Sequence, residues 1–586
     1  MKKNDKQEKS QSFLKGAAIL GSSMVIVRLM GMVYKILLSG MYGGVGTGLF
    51  NSAYALYNPL FMLSTAGFPI AISRTVSESI AKKRYRDVRQ IHKLSVPIFV
   101  IAGLICFLAM VVGSFIYVRI INAPNAIFAL LCLSPTIFFG CLMSIYRGYF
   151  EGMRNMTPTA ISEIIEAACK LFLGFTASFI TMKLCMKAYY SSGYVFGIKC
   201  VSEAEANAAS IPIAIGAAIT GISLGSFFGF IFLFIRYKRG GDGISVSDLR
   251  SSPPPRRNNV IISNLVRTAI PIGLGSIVMS LADMIDSTLV MKRIYNIMET
   301  NPDALLNVYG SLIPDDVLAS NNTHTYLYGC YGIALTLMML VTAVTQVFGT
   351  TALPSVTAAW TSGDRTKLKE SMETVLRVTV LVTIPSGIGM SLLAEPLLSL
   401  IYSSPNVANE VEIGSKVLAV MGISVIFIAT STPLCSMLQA IGRVDVPLKL
   451  FIAGMIMKIV VNYVLVGIPE INIQGANVGS IVCYGFVTVT AMFILCRETK
   501  ITPNFVSILI KPLIAAIICG IAAYFSEILF DFVCVQRVAT LLAILTAIIV
   551  YFIVLLLIRA IKREDLLQMP KGNKIVKVLE KRRLIR

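Results

Sequence analysis

About fourteen hydrophobic stretches of about 20 residues or longer run through this chain, and its Lys and Arg residues gather in alternate gaps between them. A bilayer core about 30 Å thick is crossed by about 20 helical residues, so each stretch is long enough for one crossing. A mean hydropathy of +0.76 with 14% charged residues excludes a water-soluble domain of this length. The expected class is an all-α polytopic membrane protein. Spans are predicted near 13–39, 48–80, 94–118, 126–148, 159–186, 209–235, 260–291, 325–356, 371–393, 413–439, 446–467, 474–496, 505–528 and 538–559.

A net charge of +21 would suggest nucleic acid in a soluble protein, but its distribution points elsewhere. With the N-terminus inside, roughly 36 Lys and Arg fall in cytoplasmic segments, about 6 in external ones and about 10 within spans. That asymmetry predicts a multi-pass plasma-membrane protein with both termini cytoplasmic. The basic groups Lys2, Lys3, Lys6 and Lys9, the run 81–90, the stretch 236–241 and the tail 577–586 all fall on that face, where anionic headgroups are the expected partner. No signal peptide is expected, because the first apolar segment is too long and lacks a small-residue cleavage site. The 12 cysteines show no C-x-x-C spacing, and His92 and His324 lie too far apart in the topology to share a metal, so no metal or cofactor is predicted. The longest external loop, 292–325, carries Asp303, Asp315, Asp316, Asn321 and His324, and reads as a solvated polar loop without a nucleophile–base arrangement.

The segment RYKRGGDGISVSDLRSSPPPRRNN at 236–259 divides the chain as a cytoplasmic linker. The expected organisation is an N-lobe at 1–235 with six spans and a second lobe at 260–500 with six more. Two further spans at 501–560 and a basic tail at 561–586 follow. The lobes echo one another: Pro69 and Pro354 sit at matching places near the ends of the second and eighth spans, Arg154–Pro158 matches Arg443–Pro447, and Lys170 and Lys458 follow in turn. Six spans per lobe is an even number, so the repeat is parallel, with a pseudo-two-fold along the membrane normal and a substrate path between lobes. Such a pair of lobes can rock between inward-open and outward-open states, with Pro69 and Pro354 as candidate hinges.

Ionisable residues deep in a span are costly and usually face a cavity or a partner. Arg28 and Lys35 lie on the first span, Arg74 on the second and Arg267 on the seventh, which together give a cavity of cationic character. A guanidinium fork suits a phosphate or diphosphate, so these four residues are the candidate substrate-binding set. Asp283 and Asp286 share one face of the seventh span, and Glu163 and Glu166 repeat that spacing on the fifth, with Glu166 and Lys170 at favourable i,i+4 spacing. Two roles stay open for these acids: coupling to a proton or sodium ion, or service as structural counter-ions.

The segments LKGAAILGSSMVIVRLMGMVYKILLSGMYGGVGTGLFNSAYALYNPLF, TAGFPIAISRTVSE, AIPIGLGSIVMSLADMIDSTLV and IGRVDVPLKLFIAGMIMKIVVNYVLV resemble the polysaccharide-exporter branch of the multidrug/oligosaccharidyl-lipid/polysaccharide (MOP) superfamily. Within it, the likeness is to stage V sporulation protein B and the MurJ-type lipid II flippases. The resemblance implies a flippase, not an enzyme, that carries an undecaprenyl-diphosphate-linked oligosaccharide to the outer leaflet. Lipid II or a related wall, spore-cortex or polysaccharide precursor would be the cargo, and cell-wall synthesis enzymes are candidate partners. It also implies that the last two spans form a groove for the lipid tail. In MurJ-type proteins a second arginine follows the first on helix 1, where this chain has Tyr34 and then Lys35, and the arginines of their second helix are replaced here by Phe61 and Met62. A cation-coupled drug exporter of the MATE kind is the alternative. Its site would need an acidic lining, which the basic residues here argue against.

Overall fold

The computed structural model describes residues 13–65, 67–240, 244–402, 404, 407–558 and 560. The N-terminal lysines and the tail 561–586 lie outside them. The described chain is helical apart from one two-stranded hairpin, Tyr194–Val195 with Ile198–Lys199. Among the described residues, twelve helices are long and apolar enough to cross a membrane. The first of these runs, Ile19–Ala81, has 63 residues, which at 1.5 Å per residue is about three times the thickness of a bilayer core.

That run doubles back. Helix α1 (Phe13–Thr65) is interrupted at Gly43, whose φ of 58° and ψ of −153° belong to a region open only to glycine. Pairs on either side of Gly43 touch: Thr47 Oγ1 donates to Ser39 Oγ at 2.9 Å, Lys35 Nζ to Asn51 Oδ1 at 3.4 Å, and the Tyr34 and Phe50 rings lie 6.1 Å apart. In one straight helix, residues 34 and 50 would stand about 24 Å apart. The run is therefore a helical hairpin holding the first two expected spans. Helix α2 (Gly67–Ala81) belongs to the second of them and carries Pro69.

The contacts divide the chain into two compact units. One comprises Met1–Lys292 with Pro314–Gly329, the other Arg293–Ile313 with Cys330–Arg586. In the first, α4 (Ile127–Gly152) packs against α1, α2, α3 (Tyr85–Ile120) and α7 (Glu203–Gly240). Helices α5 (Thr157–Cys169) and α6 (Phe175–Ser192) are joined by a π turn, Lys170–Gly174, and both lie along α7. Leu130, Leu133 and Ile137 of α4 and Ile215, Ala218 and Ile219 of α7 are buried, and Thr136 Oγ1 lies 2.8 Å from Ser223 Oγ across the two helices. The outward face of α3 instead exposes Ile101, Leu104, Ile105, Leu108, Val112, Phe115 and Ile116, a stripe suited to lipid and not to water.

The linker is anchored to this unit by a short helix, α8 (Val246–Ser251), and the polyproline segment after it. Arg86 donates from its backbone N–H to Ser252 Oγ at 3.1 Å and from Nε to the Leu249 carbonyl at 3.1 Å. Helix α9 (Asn258–Thr300) holds the seventh expected span and belongs to the first unit as far as Lys292.

The expected polar loop at 292–325 is largely helical, a correction to the sequence reading. It holds the end of α9 and the short helices α10 (Pro302–Tyr309) and α11 (Asp315–Ala319). Asn301 caps α10 by accepting from the Ala304 N–H at 3.3 Å, with Pro302 opening the first turn. Apolar Leu305, Tyr309, Ile313 and Val317 are buried, so hydrophobic anchoring outweighs the polar composition that suggested solvation.

Helix α12 (Thr323–Thr361) starts in the first unit and continues in the second. The second unit then holds α13 (Arg365–Leu392), α14 (Ala394–Ile401), α15 (Ala408–Ala440), α16 (Asp445–Leu465) and α17 (Gly475–Thr499). Helix α15 packs against α13 and α17, burying Val417, Leu418, Met421, Val425, Leu434 and Leu438. The last two spans, α18 (Lys511–Asp531) and α19 (Gln536–Leu557), pack on each other, and α18 lies along α13.

Candidate functional site

All four cations assigned to substrate binding lie in the first unit. Arg28 on α1, Arg74 on α2 and Arg267 on α9 are exposed, whereas Lys35 is half-buried. Arg28 sits midway along an apolar helix, beside exposed Met24, Val25 and Leu29, while its neighbour Ser23 is buried and donates to Glu163 Oε2 at 3.0 Å. Arg74 lies one turn before Glu78, a carboxylate that pairs with Lys82 at 2.6 Å and with Arg256 at 3.9 Å. Of the four, Lys35 has the most closely defined surroundings: its ammonium donates to Asn51 Oδ1 and lies 5.8 Å from the Phe50 ring centroid.

The structure redraws the acidic pairs of the fifth span. Glu166 does not pair with Lys170, as the i,i+4 spacing suggested. Its Oε2 accepts from Arg147 of α4 at 3.1 Å and its Oε1 from Ser226 of α7 at 2.9 Å. Arg147 also donates from Nε to Ser162 Oγ at 3.0 Å. A guanidinium brought in by a neighbouring helix offers Glu166 a second, fixed donor geometry that a flexible lysine on the same helix cannot match. Lys170 turns instead to Tyr54, donating to its hydroxyl at 3.1 Å. Sequence reasoning passed over Arg147, although it lies within a predicted span and carries the same signal that marked Arg28.

Asp283 and Asp286 occupy α9, with Asp283 exposed and Asp286 half-buried. Pro69 packs under α4: a Cβ on Gly148 would come within 2.6 Å of the Pro69 carbonyl, so α2 and α4 meet backbone to backbone. Pro354 lies inside α12 and its ring is outside the described side chains. No group of three or more His, Cys, Asp or Glu with metal-binding geometry occurs among the described residues.

A cavity of about 620 Å³ lies in the second unit, lined by Glu395, Glu412, Lys416, Gln536, Arg537 and others between α14, α15 and α19. None of the candidate residues lines it. Its mixed charges stand at open helix ends, which is ordinary for the water-facing edge of a bundle.

Comparison with known proteins gives matches along most of the chain. A family model described as "Polysaccharide biosynthesis protein" matches residues 13–202, and one described as "MatE" matches 322–464. The lipid II flippase MurJ of Bacillus subtilis (strain 168) is 24% identical over 494 residues, 82% of this chain and 83% of the relative. Stage V sporulation protein B of the same organism is 23% identical over 580 residues, 97% of this chain and 99% of the relative. Among solved structures, the lipid II flippase MurJ in an inward closed conformation aligns with a TM-score of 0.57 at 15% identity, covering 92% of this chain and 98% of that one. An inward-facing MATE-family transporter of the MOP superfamily aligns with a TM-score of 0.56 at 14% identity, covering 82% of this chain and 99% of that one.

Proposed function

We propose that this chain, a membrane transporter of the MOP superfamily related to the lipid II flippase MurJ and to stage V sporulation protein B, is a flippase for an undecaprenyl-diphosphate-linked oligosaccharide. In this reading both termini are cytoplasmic, as the Lys and Arg distribution favours, and the cargo moves from the inner to the outer leaflet by alternating access. Lipid II or a related wall, cortex or polysaccharide precursor is the cargo class. The last two helices, α18 and α19, hold its lipid tail.

The observation that carries the reading is the exposure of Arg28 midway along an apolar helix. A guanidinium at that depth is costly against hydrocarbon and stable beside a wet path or an anionic ligand. Arg28, Lys35, Arg74 and Arg267 then act as the diphosphate-binding set, and the protein needs no chemical step: it lowers the cost of carrying a charged headgroup across hydrocarbon. Pro69 and Pro354 serve as hinge positions in that cycle.

The test is lipid binding by native mass spectrometry, with undecaprenyl-diphosphate-linked sugar as ligand and a cationic dye as competitor. Arg28→Ala is expected to weaken the diphosphate lipid by about tenfold or more at unchanged protein yield. Equal binding by variant and parent overturns the role of Arg28. Dye binding without any diphosphate preference would instead favour the second reading, a MATE-type exporter, to which the MatE match at 322–464 lends support. Asp283 and Asp286 would then be the groups to substitute.

A further inference from the structure

Lys170 opens the π turn Lys170–Gly174, and the surrounding backbone is built to seat it. Gly174 lies hard against α7: a Cβ on Gly221 would come within 2.3 Å of the Gly174 Cα, and one on Gly174 within 2.6 Å of the Ala218 carbonyl oxygen. Tyr34, fully buried, donates its hydroxyl to that same Ala218 carbonyl at 2.8 Å. Wide turns of this kind recur at functional sites. Here the turn delivers an ammonium onto aromatic faces, with Lys170 Nζ 5.2 Å from the Tyr34 centroid, 5.3 Å from Tyr54 and 5.8 Å from Phe50.

A second ammonium lies beside one of these rings. Lys35 Nζ also lies 5.8 Å from the Phe50 centroid. The hydrogen-bond acceptors of the two lysines are neutral, the Asn51 amide oxygen for Lys35 and the Tyr54 hydroxyl for Lys170. Among the described residues, neither has a carboxylate within ion-pair distance. Glu166, one turn before Lys170, pairs with Arg147 and Ser226 and acts on Lys170 only through space, and Glu163 accepts from Ser23. Ring faces hold an ammonium in place but do not neutralise it. Two cations sharing one ring within a span repel each other and are poorly solvated, and an oxyanion with several acceptor oxygens relieves both costs together.

We propose that Lys35 and Lys170, with Asn51 and Tyr54, form an anion subsite of the first unit that takes a phosphate or diphosphate oxyanion. Lys170 thereby joins the binding set as a residue from the fifth span, held ready by Tyr34, Phe50 and the π turn. The chemistry stands on the charge balance. Only the identification of that oxyanion with a lipid-linked headgroup rests on the flippase reading.

The experiment uses the full chain in detergent or nanodiscs, with undecaprenyl diphosphate and inorganic pyrophosphate as separate probes. Parent, Lys170→Gln, Lys170→Arg, Lys35→Gln and Arg28→Ala are compared, with monodisperse elution and unchanged melting temperature as the control for folding. Lys170→Gln and Lys35→Gln are each expected to weaken oxyanion binding by about tenfold, while Lys170→Arg, which keeps the charge, stays close to parent. If Lys170→Gln does not fold, Lys35→Gln carries the same expectation. Binding of inorganic pyrophosphate but not of the lipid, lost in the lysine variants, supports the subsite and sinks the flippase reading. Loss of lipid binding in Arg28→Ala with full retention in both lysine-to-glutamine variants overturns the subsite and leaves the flippase reading standing. Binding of neither probe by the parent overturns the subsite as well.

Discussion

The carboxylate of Asp87, almost wholly buried near the start of α3, accepts the backbone N–H of Arg256 at 2.9 Å across the polyproline linker. The same carboxylate receives Arg84 Nε at 2.6 Å and lies 3.5 Å from Arg256 Nε, while Arg84 reaches on to the Pro254 carbonyl at 3.1 Å. The stretch read from sequence as a linker is thus fastened to the first unit by Asp87 together with Arg84 and Arg86.

Asp87→Asn keeps the size of that side chain but removes the charge that two guanidiniums share. Hydrogen exchange across 246–258 should quicken, with a local loss of about 1–3 kcal/mol. Unchanged exchange in that segment would mean that the prolines alone hold it.

Glycine 43 turns the first helical hairpin in a conformation that side chains avoid. Gly43→Ala should cost about 1–3 kcal/mol and lower the yield of monodisperse protein. The control is Gly21→Ala, where a Cβ meets nothing within 4 Å; similar losses in the two variants would remove any special role for Gly43.

In the second unit, Glu373 faces the fully buried Arg377 at 3.6 Å and also accepts the Asn504 N–H at 3.1 Å just before α18. Glu373→Ala removes the carboxylate that faces this guanidinium and frees the Asn504 N–H ahead of that helix. The expected loss is about 1–3 kcal/mol, read as a lower melting temperature and exposure of the 500–506 backbone to exchange.

For Arg147 and Glu166, a double-mutant cycle to alanine should return a coupling energy of about 0.5–2 kcal/mol. The pair Glu166 and Lys170, at the spacing that pointed to an ion pair, should return much less. A reversed order would restore the i,i+4 pairing.

Much of the architecture was legible in the residues. The merged first run was readable as two spans because SGMYGGVG separates its apolar stretches, and Gly43 in that segment is where the helix breaks. Other features carried a local signal that was not followed: Arg147 and Arg377, charged residues inside predicted spans, proved to be the hubs of ion pairs. The pinning of the linker had no such signal, since Asp87 meets Arg256 from far along the sequence, whereas α10 carried one in its Asn301 cap and Pro302.

By itself the sequence determined that this protein is a helical membrane protein of many spans, because the length and polarity of each stretch decide whether it can satisfy its backbone in hydrocarbon. It also marked which side chains would be costly there. Only the tertiary structure decided how those charges are matched: Glu166 with Arg147 across helices, Lys170 and Lys35 at one aromatic ring, Asp87 with the linker. Hydropathy is a property of each residue, whereas a charge partner is chosen by which helix faces come within 3 or 4 Å, and that is settled only when the helices pack.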